Sequence, residues 1–261
     1  MTRFITKAKV AIVRLLRVLG LKEVHVSQPV SEERIESVRQ LSLKPLADER
    51  EIRRVEIVML KYKEDPEVID RAVANVVHRT KWPFRLTIYD NRPNPPNMSK
   101  IWNRVVAQSS CDYVLIMDTD AYVPDLEPCW LTRLMESIDE KGVVVPLGDN
   151  VSGINKASST KTYPSATAKS GIWTAFCFLF KKSLWEKEPF DEEFFMYGQD
   201  SEWAARLSRK YGGVVLREDV LVHHLHGYSS KKAQKAGELD READLGYAVR
   251  LYGEKGIAEF L

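Results

Sequence analysis

The chain has 261 residues, 44% hydrophobic and 29% charged, and a net charge of +2. That is enough for one large or two small domains around an ample core, and too little basic excess for nucleic acid as a global partner. The three cysteines, Cys111, Cys129 and Cys177, have no metal-ligand spacing and are odd in number, which points to a reducing, cytoplasmic setting. No run reaches the roughly 18 apolar residues that a membrane span needs.

Residues 1–22 read as an amphipathic helix. Phe4, Ile5, Ala8, Ala11, Ile12 and Leu15 share one face, and Arg3, Lys7, Arg14 and Arg17 the other. Such a helix suits peripheral contact with the inner face of a membrane carrying anionic lipids, or packing on protein. Residues 24–52 are polar and charged and read as a linker or helical arm, with Ser31-Glu32-Glu33 as a helix start. Three segments follow from this reading: 1–52, a compact domain over 53–230, and a helical tail over 231–261.

The compact domain alternates strands and helices. Strands are expected over 55–60, 84–89 and 113–117. Helices are expected from Asp65-Pro66 to Thr80, with Asp as cap and Pro at the first helical position, and over 98–108. This order implies an α/β fold with a mostly parallel sheet, whose ligands sit at the carboxyl ends of the strands. Asp90, Asp118 and Asp120 all fall at such ends. Further on, the pattern predicts a helix over 126–138, a strand over 142–146 and a long Ser/Thr/Lys-rich loop over 148–171. A buried strand is expected over 172–180, whose Trp173 reads as a core aromatic or a sugar platform.

The most informative stretch is 114–123, Val-Leu-Ile-Met-Asp-Thr-Asp-Ala-Tyr-Val. Four apolar residues imply a strand buried on both faces. The paired carboxylates of Asp118 and Asp120 repel unless a cation or proton lies between them, and a divalent metal holding phosphate oxygens meets that need. A second acidic group, Gly198-Gln199-Asp200-Ser201-Glu202, opens a helix, where a carboxylate serves as a general base or as a plain cap. Then comes His223-His224-Leu225-His226-Gly227, three histidines in four positions, which points to a metal ligand or phosphate contact.

In order, these features resemble the inverting family 2 glycosyltransferases of GT-A fold, with the rhamnosyltransferase-like branch nearest in pattern. The resemblance covers about 53–230. It implies a nucleotide-diphosphate sugar donor, Mn²⁺ or Mg²⁺, and an acceptor hydroxyl on a glycan, lipid-linked or protein-linked molecule. It places Asp118, Asp120 and His224 on the metal, with Asp120 the more direct ligand and His226 the alternative to His224. Leu60, Tyr62, Asp90, Asn91, Lys100 and Asp118 fall on the donor side, Asp200 is the catalytic base, and Trp173 and Glu202 lie on the acceptor side. Gln199 replaces the family's usual Glu, and Glu202 stands where Asp is usual. Two other readings remain: a haloacid-dehalogenase-like phosphohydrolase with Asp118 as nucleophile, and a non-catalytic nucleotide-sugar or glycan-binding module.

Overall fold

The computed structural model describes residues 24–27, 53–61, 64–90, 97–158, 166–225, 235 and 241–257. The helix expected over 1–22, Tyr62, Asn91 and His226 lie outside them. The strands are β1 (Val24–Ser27), β2 (Val55–Lys61), β3 (Phe84–Asp90), β4 (Tyr113–Asp118), β5 (Ala121–Tyr122), β6 (Val143–Gly148), β7 (Thr167–Lys169), β8 (Cys177–Lys181) and β9 (Val214–His224). The helices are α1 (Pro66–Arg79), α2 (Met98–Gln108), α3 (Trp130–Lys141), α4 (Lys182–Trp185), α5 (Gln199–Tyr211) and α6 (Arg241–Ile257), the last interrupted at Gly253.

The strands join in the order β1-β3-β2-β4-β8-β6-β9-β5, with β7 on the side of β9. β1, β3, β2 and β4 are mutually parallel, and β6 is parallel to β9. β8 runs antiparallel between β4 and β6. Among the described residues, no helix is long and apolar enough to cross a membrane.

The unbroken apolar runs are buried on both faces. Val55, Ile57 and Met59 of β2, with Leu115 and Met117 of β4, pack toward α1 and α3; Val58, Leu60, Val114 and Ile116 pack toward α2 and α5. Alternation along a strand sends successive side chains to opposite layers, and each buried Val, Leu or Ile stabilises the fold by roughly 1.5–3 kcal/mol. The α2/α5 layer is aromatic: Trp102, Trp173, Phe178, Phe180, Phe190 and Trp203 interlock at centroid distances from 4.7 to 6.3 Å.

Four expectations need correcting. The segment expected as a loop over 148–171 contains β7, which pairs antiparallel with β9 from Thr167 against Leu216 to Lys169 against Val214. The stretch expected as linker or helical arm contains β1, which pairs in parallel with β3 from Val24 against Leu86 to Ser27 against Tyr89. Its Val-His-Val-Ser sequence favours an extended strand, but four residues are too few for a period to show. The strand expected over 172–180 is regular only from Cys177, and Trp173 makes just an isolated bridge to Gly153. Helix α3 starts at Trp130 rather than 126, because Pro128 keeps the residue before it out of the helical region.

Candidate active site

The site grows from the carboxyl end of β4. The Asp118 N–H donates to the Phe176 carbonyl at 2.9 Å, and the Thr119 hydroxyl donates to the Leu60 carbonyl at 3.3 Å. Thr119 and Asp120 form a turn into β5, which pairs antiparallel with β9 so that Ala121 lies opposite His224. The Leu225 N–H donates to the Asp120 carbonyl at 3.1 Å. These bonds bring the end of β9 over the β4–β5 turn. His224 Nε2 then lies 3.3 Å from Asp118 Oδ2 and 3.3 Å from Asp120 Oδ1. Asp120 and His224 side chains are almost fully buried, at 7% and 5% exposure, while Asp118 is 37% exposed and faces the opening.

His224 is oriented from several sides. Its N–H donates to Asp149 Oδ1 and its carbonyl accepts from Asn150 Nδ2, each at 3.0 Å. Its ring stacks on Phe176 with centroids 5.1 Å apart and planes 25° from parallel. Gly148 makes room for that ring: a Cβ there would lie 2.7 Å from Phe176 Cζ. Strand alternation sends the neighbouring His223 to the opposite, exposed side, where its Nδ1 pairs with Asp149 Oδ2.

Electrostatics tie the three groups together. Burial pushes the Asp118 carboxyl above its ordinary value, and the hydrogen bond from His224 partly offsets this. Burial opposes a charge on His224, but hydrogen bonds and charge from Asp118 and Asp120 outweigh it and hold the imidazole well above its usual range. A positive charge is therefore strongly favoured between these carboxylates. One ligand atom from each of Asp118, Asp120 and His224 lies within 4.8 Å of the others. Two carboxylate oxygens and an imidazole nitrogen form a donor set that fits a divalent cation of the Mg²⁺ or Mn²⁺ kind.

Asp200 stands in the first turn of α5, two residues past the helix cap Gly198. The plain-cap alternative therefore does not describe it. Its Oδ2 accepts the Ala175 N–H at 3.0 Å and its Oδ1 accepts the Ser201 N–H at 2.8 Å. Burial raises the Asp200 carboxyl above its ordinary value against the opposing effect of those hydrogen bonds. Ala175 and Phe176 form the bridge between the two acidic sites: one is bonded to Asp200, the other to Asp118 and stacked on His224.

Other expected residues distribute unevenly. Leu60 and Asp90 sit at neighbouring strand ends, where Asp90 is buried and pairs with Lys61 at 3.3 Å. Lys100 is exposed in the first turn of α2. The acceptor-side placement of Trp173 and Glu202 is not supported. Trp173 has 0% exposure and packs against Phe178 and Trp203, so it offers no open platform. Glu202 is buried, and both its oxygens are bonded to Arg206, one also to the Tyr252 hydroxyl. Helical spacing from Asp200 turns Glu202 inward, to where Arg206 lies one turn on.

Asp149, Asn150 and Phe176 were missed at the sequence level. Asp149 and Asn150 directly follow the apolar strand β6, at a strand carboxyl end, and the rule that singled out Asp90 and Asp118 would have found them. Nothing local marks Phe176.

No protein-family model and no curated protein matches the chain. Solved structures do. GalNAc-T7 with UDP, GalNAc and Mn²⁺ superposes with a TM-score of 0.53 at 13% identity, over 82% of this chain and 55% of that one. S. aureus TarS 1–349 superposes with a TM-score of 0.50 at 12% identity, over 78% of this chain and 74% of that one. The chain thus spans about half the length of the GalNAc-T7 structure. At these identities the likeness is one of fold: a GT-A-type α/β architecture with a mostly parallel central sheet flanked by helices.

Proposed function

We propose that this chain is a metal-dependent inverting glycosyltransferase. It would move a sugar from a nucleotide-diphosphate donor to an acceptor hydroxyl on a glycan or lipid-linked molecule. The observation that carries the proposal is the convergence of Asp118, Asp120 and His224 at the carboxyl end of β4, on a fold shared with a structure that holds UDP, GalNAc and Mn²⁺.

Asp118, Asp120 and His224 would hold the cation, which when bound supplies positive charge to the donor diphosphate. Asp118 is the most open of the three and would meet the donor first. Asp200 accepts the proton of the acceptor hydroxyl as that oxygen bonds the anomeric carbon. The bond from that carbon to the diphosphate breaks, the nucleoside diphosphate leaves with the electron pair, and the configuration inverts. Burial gives Asp200 the higher basicity that a general base needs. Asp90, paired with Lys61 at the neighbouring strand ends, would contact the nucleotide. Residues 1–22, whose sequence pattern is basic and amphipathic, would bring the domain to a membrane carrying lipid-linked acceptors.

The test is a thermal-shift screen of UDP-, GDP-, CMP- and dTDP-sugars with and without Mn²⁺. It is followed by donor hydrolysis, in which water takes the acceptor's place. A metal-dependent shift with one nucleotide, and release of its diphosphate, is expected. A shift without any turnover would favour a binding module, and no shift with any donor would contradict the proposal.

A further inference from the structure

The described part of α6 makes its closest polar contact with the chain just before Asp200. Asp244, 2% exposed, accepts three consecutive backbone N–H groups: Phe195 at 2.6 Å on one oxygen, and Met196 and Tyr197 at 2.8 Å each on the other. On its other side the same loop is fixed to α2, where the Met98 N–H donates to the Phe195 carbonyl at 2.7 Å. The loop ends at Gly198, whose φ of 85° starts α5. Asp200 follows two residues later.

We propose that Asp244 is the positioning residue for Asp200: through loop 195–197 it sets the entry of α5 and hence the carboxylate's aim across the cleft. The proposal rests on the reading of Asp200 as the base and extends it to the C-terminal helix.

Three N–H groups on one buried carboxylate are charge-assisted bonds, each stronger than a neutral one. They pin three successive peptide planes, so the φ and ψ angles leading into Gly198 have little freedom. A glycine at positive φ is a soft point in the chain. With its upstream neighbours held, the helix start is held too. The geometry of Asp200 is demanding, since its two oxygens must meet the Ala175 and Ser201 N–H groups at the same time. A small rotation of the first turn of α5 breaks the Ala175 bond and moves the carboxylate away from the chain leading into β8.

α6 also makes a second, separate tie, which serves as a control. The Tyr247 hydroxyl donates to Asp191 at 2.8 Å, nine residues before Asp200, and its ring packs edge-on to Phe194. Loss of that hydroxyl loosens the helix without releasing the loop amides.

The experiment uses the full chain as wild type, Asp244→Asn and Tyr247→Phe. Hydrogen exchange is followed at the amides of 195–197 and at the two amides that Asp200 accepts, Ala175 and Ser201. Alongside it, the nucleotide Kd with Mn²⁺ and donor hydrolysis per folded molecule are measured well below the unfolding temperature. In Asp244→Asn, exchange at Ala175 and Ser201 should rise by at least about tenfold, the loss of roughly one charge-assisted hydrogen bond. Hydrolysis should fall by a similar factor with the nucleotide Kd unchanged. Tyr247→Phe should lower thermal stability yet leave Ala175, Ser201 and hydrolysis within about twofold of wild type, the range of a local surface change. Faster exchange confined to 195–197, or equal effects from both variants, would overturn the proposal. Asp200→Asn separates the two claims: if it keeps turnover, the base assignment fails, while exchange at Ala175 and Ser201 still reports whether Asp244 holds Asp200.

Discussion

Replacing Asp200 by Asn probes the proposed chemistry with little change in shape. Each Asp200 oxygen accepts a backbone N–H, from Ala175 at 3.0 Å and from Ser201 at 2.8 Å. An asparagine keeps one acceptor and turns its NH₂ toward the other N–H, so one charge-assisted bond, about 1.5–3 kcal/mol, is lost. Against this, the carboxylate charge that burial penalises is removed. The net stability change should stay within about 2 kcal/mol, a Tm shift below about 8 °C at this chain length. The chemical consequence is larger. A positioned general base contributes about 10²–10⁴-fold, which corresponds to about 3–5 kcal/mol of barrier. The assay is donor hydrolysis and transfer by folded variant, with the nucleotide Kd measured separately in Mn²⁺. Turnover should fall at least about 100-fold with the Kd unchanged. Turnover within about tenfold of wild type, or a nucleotide Kd that weakens in step with turnover, would refute the assignment of Asp200 as base.

The acid limb of the wild-type pH–rate profile should lie above the ordinary carboxylate value of about 3.9, because activity is lost as pH falls through the raised Asp200 pKa; a limb at the ordinary value would contradict this. For stability the sign is opposite: the folded carboxyl binds its proton more tightly, so its contribution is full below the ordinary value and disappears as pH rises through the raised one. Chemical denaturation across that window should show a shallower slope in Asp200→Asn than in wild type, the part that remains coming from the raised Asp118 carboxyl. Gly198→Ala forces a side chain into φ 85° with its Cβ 3.3 Å from Phe194; it should cost about 1–2 kcal/mol and slow turnover more than it weakens nucleotide binding. Trp173→Ala should cost about 3–5 kcal/mol of stability, as for other buried aromatics, when measured by denaturant unfolding; a stable variant with altered acceptor affinity would restore the platform reading.

How far the sequence revealed this molecule depends on which residues carried the signal. The 55–60 and 113–117 runs showed two-sided burial because apolar residues dominate them, and Asp65-Pro66 marked a helix start, whereas the Asn97 cap that opens α2 was not recognised. Asp118, Asp120 and His224 were legible as a set, since each follows an apolar strand. The choice of His224 over its neighbours rests on register: the pairing of β5 with β9 turns His224 inward and His223 outward. The direction of β8 was illegible, because a fully apolar run shows neither face nor sense. That Trp173 and Glu202 are buried rather than open to an acceptor was not legible, because burial is decided by what packs against a side chain, here Phe178 and Trp203 on the one and Arg206 on the other. The tie from Asp244 to 195–197 spans almost 50 residues and leaves no local pattern at either end.

The central claim is that Asp118, Asp120 and His224 together hold the cation that binds the donor diphosphate. It is tested most directly by electron paramagnetic resonance titration of Mn²⁺ into wild type and Asp120→Asn, each with and without the nucleotide found in the donor screen. The account predicts one bound Mn²⁺ in wild type, tightened by nucleotide, and affinity reduced by at least about tenfold in the variant, the scale of altered metal-site support. Equal Mn²⁺ binding by both proteins, or nucleotide binding indifferent to the metal, would contradict it.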